Sequence, residues 1–337
     1  MSDLEQNIHA VFLPAFAELE ISDAVSAFLR KGCRAILPGE TRDEYVAREM
    51  TNSRITAEKP ESFLEFATKA RSAADGPVLI AVDQEMVGIQ RLHKLVPPLP
   101  THEDLSTASP DAVETAASTV AAGAKAIGVN MFLSPIVDVV TGHNPWLDRR
   151  TISTDPNAVA RFGAAFVRGV QKENVVCTAK HFPGHHDVTA DPAIDATAVV
   201  KGNVDDLAPG YGPFVAVIAS GTKAVMTGPM PVPCLDADES ASTSASVVSM
   251  LRKTFGFDGL IVSDDLDSAA VMRGKSVPEK ALDALAAGSE LLLVAASEHL
   301  PELAEAVADA VADGRLPVER VNAAAEKVRA TVSWANV

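Results

Sequence analysis

The chain has 337 residues, a mass of 35.3 kDa and a formal net charge of −16. Hydrophobic residues make up 47% of it and charged residues 22%, a balance that is typical of folded globular proteins and excludes a disordered or collagen-like chain. The acidic excess repels phosphate backbones and anionic lipids, so nucleic acid and membranes are not expected as partners.

The cysteines and the N-terminal segment indicate where the protein works. Cys33, Cys177 and Cys234 lie far apart, which argues for a reducing compartment without a disulfide framework. The N-terminal segment has acids before its apolar run, unlike a secretory signal. No uninterrupted apolar run reaches the about 18 residues of a membrane helix. We therefore expect a cytoplasmic protein, whose oligomeric state the sequence leaves unknown.

Short apolar runs rich in Val, Ile and Leu recur along the chain and predict strands that are buried on both faces. They begin at Ile8, Cys33, Pro77, Ile127, Val175, Lys223, Leu260 and Glu290. The periodic segments 22–31, 60–74, 110–126, 155–171 and 245–255 lie between them and predict helices. Several open with Ser, Asp or Pro, which cap or start helices.

This alternation favours an α/β fold, a (β/α)₈ barrel formed by one domain over residues 1–337. A C-terminal helix at about 316–333 is expected to pack outside the barrel. An open, doubly wound sheet is the alternative. It usually has a Gly-rich loop after its first strand, and none follows Phe16.

Ionisable side chains follow several of the predicted strands. They are Asp83 and Glu85 after the third strand, Arg149 and Arg150 in the loop after the fourth, Lys180 and His181 at the end of the fifth, and Asp264 and Asp265 after the seventh. The carboxyl ends of barrel strands share one rim, where active sites of this fold lie. The sequence therefore predicts that these groups converge on one site.

The segment KHFPGHHDVTAD from Lys180 resembles the KHFPGHG signature of family 3 glycoside hydrolases, specifically the single-domain bacterial β-N-acetylhexosaminidases. Further segments resemble that group in the same order: DQEMVGIQRL from Asp83, NMFLSPIVDV from Asn130, VMTGPMPVPCLD from Val225 and GFDGLIVSDDLDSAA from Gly256. The resemblance extends from about residue 70 to about residue 295. It implies a (β/α)₈ barrel that acts on a carbohydrate substrate and needs no cofactor.

The resemblance also implies a role for individual residues. Asp264 matches the nucleophile, which attacks the anomeric carbon and forms a covalent glycosyl intermediate. The residues that match sugar-binding positions, or lie in a matching segment, are Asp83, Arg91, Arg150, Lys180, His181 and Met226. Asp265 is left between a capping role and a direct one.

The spacing of His181, His185, His186 and Asp187 is also compatible with metal ligands. Ligands four residues apart need a helix, however, and the sequence Phe-Pro-Gly at 182–184 breaks one. The resemblance accounts for His181 and His185 without a metal, so none is expected.

One departure from the family pattern concerns proton transfer. The resemblance implies an acid/base loop that reads Asp-Ser-His, but here the aligned residues are Asp191, Pro192 and Ala193. Alanine cannot transfer a proton. Nearby, His186 replaces a glycine of the signature and Pro229 replaces a histidine.

Three hypotheses follow. The first is a retaining glycosidase for a β-linked N-acetylhexosaminide or a related glycoside, in which His186, Asp187 or Asp195 replaces the missing acid and Asp191 stays part of the catalytic loop. The second is a sugar-binding pseudoenzyme that keeps the pocket without turnover. The third is a lyase or transferase on the same barrel, since a fold does not determine a function.

Overall fold

The structure is a computed structural model that describes residues 2–296 and 299–337. Its strands are β1 (Phe12–Phe16), β2 (Ala35–Pro38), β3 (Leu79–Val82), β4 (Met131–Phe132), β5 (Val176–Phe182), β6 (Ala224–Thr227), β7 (Pro231–Val232), β8 (Asp236–Ser240), β9 (Leu260–Val262) and β10 (Leu292–Ala295). Its α-helices are α1 (Asp3–Ala10), α2 (Asp23–Arg30), α3 (Arg42–Ala47), α4 (Asn52–Ala57), α5 (Pro60–Ala74), α6 (His102–Leu105), α7 (Pro110–Ala126), α8 (Pro156–Lys172), α9 (Val204–Ala219), α10 (Ala245–Lys253), α11 (Ala269–Met272), α12 (Val277–Ala287), α13 (Leu300–Ala312) and α14 (Val318–Ala335).

In the described residues, eight parallel strands form one sheet in the order β10-β1-β2-β3-β4-β5-β6-β9. A parallel bridge between Val262 and Leu291 joins the last strand to the first and closes the ring. The predicted (β/α)₈ barrel is therefore confirmed. The loop after β6 adds an antiparallel hairpin, β7 and β8, that the apolar pattern does not predict.

The helices begin where the sequence places capping residues. Ser22 caps α2 by accepting a hydrogen bond from the backbone N–H of Val25. Ser109 and Asp155 cap α7 and α8 in the same way, and both of these helices have proline in the first turn. These caps hold the outer helices in place around the sheet.

Two apolar clusters fill the space inside and outside the ring. Side chains that point inward form the inner cluster, which includes Leu13, Leu79, Met131, Val176 and Leu260. The alternate strand residues pack outward against the helices, as expected for strands that are buried on both faces. None of the described helices has the length and apolar character needed to cross a bilayer.

The C-terminal helix α14 covers one end of the barrel. Its residues Val328, Val332 and Ala335 belong to the inner cluster. The backbone carbonyl of Val337 accepts hydrogen bonds from Lys125 at 3.3 Å and from Asn174 at 3.2 Å, just before β4 and β5 begin. The helix therefore closes the end of the barrel where the strands start. The opposite rim stays open.

Candidate active site

A cavity of about 440 Å³ opens among the carboxyl ends of the barrel strands. Its lining includes most of the residues that the sequence predicts for the site, namely Asp83, Arg150, Lys180, His181, Met226 and Asp264. They come together because residues that follow parallel strands meet at one rim of the barrel.

A chain of ion pairs crosses one side of this cavity. The Lys180 ammonium lies 2.5 Å from Asp83 Oδ1 and 3.1 Å from Glu85 Oε1. Arg150 makes two contacts with Glu85, one from Nη2 at 2.6 Å and one from Nε at 3.2 Å. Buried charges are tolerated when they are paired and hydrogen-bonded in this way. The network therefore holds Lys180 and Arg150 in fixed positions.

Glycine at position 88 leaves room for the contact between Glu85 and Arg150. A Cβ on Gly88, whose φ is +100°, would lie 2.6 Å from Glu85 Oε2 and 3.0 Å from the Arg150 side chain. Burial alone would raise the pKa of Glu85, but Arg150 and Lys180 lower it to about 2. Glu85 is therefore ionised at neutral pH and balances both cations.

Asp138 is fully buried behind the cavity wall and joins two histidines. Its Oδ2 accepts hydrogen bonds from the backbone N–H of His181 at 2.9 Å and from its ring Nδ1 at 2.8 Å. Its Oδ1 accepts from the backbone N–H of His185 at 2.8 Å. Burial would raise the pKa of Asp138, but the two histidines hold it well below its ordinary range. Because Nδ1 of His181 is occupied, Nε2 is the nitrogen left to face the cavity.

Asp264 reaches the same cavity from the end of β9. Its backbone N–H donates to Ser242 Oγ at 2.8 Å, and its Oδ1 accepts from the backbone N–H of Asp265 at 2.8 Å. Its Oδ2 is buried without a hydrogen-bond partner among the described residues and lies 3.9 Å from His181 Nε2. A fixed carboxylate with one unpaired oxygen can attack an electrophilic carbon of a bound ligand.

Comparison with known proteins decides the family. The family model described as glycosyl hydrolase family 3 N terminal domain matches residues 39–331. The chain belongs to glycosyl hydrolase family 3. A beta-hexosaminidase of Stenotrophomonas maltophilia strain K279a is 34% identical over 251 residues, which cover 72% of this chain and 74% of that protein. A beta-hexosaminidase of Xylella fastidiosa strain M23 is 33% identical over 278 residues, 79% of this chain and 81% of that protein.

Solved structures of the family share the fold. The beta-N-acetylhexosaminidase of Beutenbergia cavernae superposes with a TM-score of 0.83 at 27% identity, over 99% of both chains. A family 3 beta-N-acetylglucosaminidase of Paenibacillus has a TM-score of 0.87 at 27% identity; the match covers 100% of this chain but 63% of that longer one. The resemblance seen in the motifs is confirmed, and with it the prediction of a family 3 glycosidase. The roles of single residues stay predictions.

Arg91, predicted to bind the sugar, lies outside the lining of the cavity in this family 3 protein. Its side chain is fully buried, and its Nη1 and Nη2 donate to Glu58 at 2.7 and 2.8 Å. Its Nε donates to the backbone carbonyl of Gly39 at 2.5 Å. These contacts tie the loop after β2 to the connection between α4 and α5, which is a structural task.

The residues predicted to replace the missing acid also lie outside the cavity lining. His186 donates from Nε2 to the Lys201 carbonyl at 3.0 Å. Asp187 pairs with the Lys201 ammonium at 2.9 Å, and a Cβ on Gly142 would fall 2.4 Å from its Cγ. Asp195 accepts the backbone N–H of Thr197 at 2.8 Å. These contacts argue against the prediction that one of the three donates the proton.

Asp191 keeps a local contact beside the cavity. Its Oδ1 accepts the backbone N–H of Ala193 at 2.9 Å and closes a short turn. Pro192 and Ala193 themselves line the cavity, and so does Pro229. Where the resemblance implies a histidine, the wall therefore presents carbon atoms.

The motifs predict neither the ion pairs of Glu85 nor the hydrogen bonds of Asp138 to the two histidines. Glu40 belongs to none of the motifs. Glu40 follows β2 and lines the cavity; burial and the neighbours Asp83 and Glu85 raise its pKa to about 8. Asp265 also lines the cavity, and burial raises its pKa to about 7. Thr41, the next residue, caps α3, and Glu40 belongs to no motif, so no local signal marks Glu40.

Two aromatic residues support the wall, and no motif points to them. The Trp146 ring lies 4.4 Å from the His181 ring, centroid to centroid. Trp146 Nε1 and Arg150 Nη1 both donate to the Tyr45 hydroxyl, at 2.7 and 3.0 Å. Tyr45 is 101 positions away from Trp146 in the chain, so only the fold brings the two together.

The histidine-rich segment forms no metal site in the part of the chain that the structure describes, since no three His, Cys, Asp or Glu side chains there are grouped as ligands. His181 and His185 turn towards Asp138, whereas His186 turns towards Lys201. The segment therefore divides its side chains between two separate hydrogen-bond networks.

Proposed function

We propose that this protein cleaves a β-linked N-acetylhexosaminide or a related glycoside, with Asp264 as the nucleophile. The observation that carries the proposal is the Oδ2 atom of Asp264, which is buried at the cavity without a partner among the described residues. The relatives named beta-hexosaminidase support this substrate class.

In the proposed reaction, a carboxylate oxygen of Asp264 forms a bond to the anomeric carbon while the bond to the leaving oxygen breaks. Water then attacks the anomeric carbon of this glycosyl ester and restores the carboxylate, so the configuration is retained. Asp83, Lys180 and Arg150 would hold the sugar hydroxyls beside the nucleophile. Their mutual ion pairs keep them in place before the sugar arrives.

The leaving oxygen would depart with little help from a proton. General acid catalysis is worth about 10²–10⁴-fold in rate, and Ala193 cannot provide it. Aryl leaving groups depart as stable anions without a proton, whereas alkyl and sugar alcohols do not. We therefore infer that activated glycosides are the substrates that the enzyme cleaves best.

A 5-fluoro derivative of an N-acetylhexosaminyl fluoride tests this proposal, because it forms the covalent intermediate faster than water removes it. We expect mass spectrometry to locate one adduct on the peptide that contains Asp264. The variant Asp264→Asn should stay unlabelled, while Asp258→Asn, at an exposed position, should be labelled as the natural chain is. Turnover of an aryl glycoside without an adduct on Asp264 would refute the assignment.

Ala193 also favours a second candidate, a sugar-binding protein without turnover. Calorimetry separates the two. Binding of N-acetylglucosamine without hydrolysis of any aryl N-acetylhexosaminide, and without labelling of Asp264, would favour the pseudoenzyme.

A further inference from the structure

Glu40 is presented to the cavity by a backbone that is fixed on both sides. Gly39 donates its N–H to the Phe16 carbonyl at 2.8 Å and accepts from Arg91 Nε at 2.5 Å. Thr41, the next residue, is the N-cap of α3. The backbone on both sides of Glu40 is therefore held in place at the cavity.

Three carboxyls share two cations at this end of the cavity. Lys180 and Arg150 are already paired with Asp83 and Glu85. Glu40 Oε2 is buried and has no hydrogen-bond partner among the described residues. Burial, together with Asp83 and Glu85, raises the pKa of Glu40 to about 8, so this carboxyl is largely protonated at neutral pH.

Two other cations near Glu40 have different roles. Arg91 is held by Glu58. Arg42 lines the cavity, but it is exposed and its guanidinium lies over the Tyr45 ring at 5.2 Å. Neither forms an ion pair with Glu40 within the described part of the chain. Lys180 and Arg91 act on Glu40 only at longer range, by lowering its pKa, so the carboxyl has no direct ion-pair partner among the described residues.

The unpaired atoms of this cavity favour a ligand that donates hydrogen bonds. Besides Glu40 Oε2, they include Asp264 Oδ2 and the hydroxyl of Ser268, a residue that is only 6% exposed. All three oxygens can accept hydrogen bonds, Glu40 fully so once a bound cation has displaced its proton. An ammonium group brings three N–H donors and a positive charge, whereas a sugar hydroxyl brings one donor and no charge.

We propose that Glu40 recognises an ammonium group on the sugar, so that the substrate is a glycoside whose sugar ring carries a free amine at C3, C4 or C6, away from the anomeric carbon. The inference rests on the proposed function, because it places the ring between Asp83 and Asp264. It adds a specificity-determining residue, Glu40, that supplies charge recognition.

The test uses phenyl 1-thio-β-N-acetylglucosaminide, whose sulfur linkage resists hydrolysis, and three analogues with an amine in place of the hydroxyl at C3, C4 or C6. Titration calorimetry measures their affinities. At least one amine should bind the natural chain about tenfold more tightly than the parent. Glu40→Gln should remove this preference. Glu49→Gln removes an exposed carboxyl a short distance along the chain from Glu40. This variant should keep the preference for the amine.

A second measurement needs no variant. Binding of the favoured amine at neutral pH should expel the Glu40 proton, so titrations in two buffers of different ionisation enthalpy should report proton release that the parent thioglycoside does not cause. Equal affinity for parent and amines, a preference that survives in folded Glu40→Gln, or binding without proton release would overturn the proposal. None of these results depends on turnover, so failure of the glycosidase proposal is seen separately, in the labelling of Asp264.

Discussion

The two sides of the cavity are built in different ways. On the side of β3 to β5, Asp83, Glu85, Arg150 and Lys180 form a continuous network, and each buried charge has a partner. The loop after β5 places Ala193 at the cavity, next to proline, while His186 and Asp187 contact Lys201 outside the lining. One side is organised to hold a polar ligand, and on the other side the loop after β5 presents no side chain to the cavity that can move a proton. Substrate binding and proton transfer are therefore separable features of this barrel.

The largest effect is expected where the two sides meet, at the nucleophile. Asp264→Asn replaces the attacking oxygen by a group that cannot form the ester, and kcat for an aryl glycoside should fall by at least about 10³-fold. The exposed Asp258→Asn variant is the control and should keep the natural kcat. Retention of most activity in Asp264→Asn would place the nucleophile elsewhere.

Arg91 is predicted from the sequence to bind the sugar, whereas in the structure it lies outside the cavity lining and contacts Glu58. Arg91→Met removes the hydrogen bonds to Glu58, which keeps Arg54 and His93 as partners, and takes away the donor to the Gly39 carbonyl. The free energy of unfolding should fall by about 1–3 kcal/mol, with KM unchanged. Chemical denaturation and steady-state kinetics measure the two quantities. A raised KM with unchanged stability would restore the sugar-binding role.

The raised pKa of Glu40 predicts how the free energy of unfolding depends on pH. Its pKa is raised from 4.5 to about 8, so across this interval the folded chain holds a proton that the unfolded chain has released. Stability contributed by this group is therefore lost as the pH rises through the interval. Glu40→Gln should raise Tm by about 1–3 °C near pH 8 and have no such effect near pH 4.5.

Thermal unfolding across that pH range checks this expectation for Glu40. The exposed Glu49→Gln variant is the matched control and should show no pH-dependent difference. A difference between Glu40→Gln and the natural chain that stays constant with pH would show that Glu40 does not titrate in the folded state as described.

The smallest effects are expected for polar residues of the loop after β5 that lie outside the cavity lining. His186→Gln and Asp187→Asn change groups that contact Lys201 and lie outside the cavity lining. Each variant should alter kcat/KM by less than about twofold for aryl and alkyl glycosides alike, since neither touches the reacting atoms. Loss of alkyl glycoside cleavage in either variant would make that residue the acid.

The barrel itself could be predicted from local signals. Buried parallel strands read as unbroken apolar runs, and residues such as Ser109 and Asp155 mark where helices start. The hairpin β7 and β8 escaped prediction because its second strand, Asp236–Ser240, is polar and partly exposed. The position of α14 depends on contacts such as those of Val337 with Lys125 and Asn174, which no local pattern shows.

The site could be predicted only in part. Motif residues gave Asp83, Lys180, His181 and Asp264, because each follows a strand whose end lies on the rim. The positions of His186 and Asp187 could not be predicted in this way, since a shared loop does not determine which way a side chain faces. The pairing of Asp138 with His181, 43 positions away, depends on tertiary structure alone.

The central claim is that the sugar-binding side works without a proton donor on the opposite side, and a series of glycosides with leaving groups of rising pKa tests it most directly. In the natural chain kcat should fall steeply along the series. In Pro192→Ser with Ala193→His, where Asp191 already accepts the backbone N–H of position 193, the slope should flatten and alkyl glycosides should gain about 10²–10⁴-fold. Pro192→Ser with Ala193→Gln, which cannot donate a proton in this way, should keep the steep slope. A shallow slope in the natural chain, with rapid cleavage of alkyl glycosides, would contradict the account and make Asp265 the first residue to test as donor.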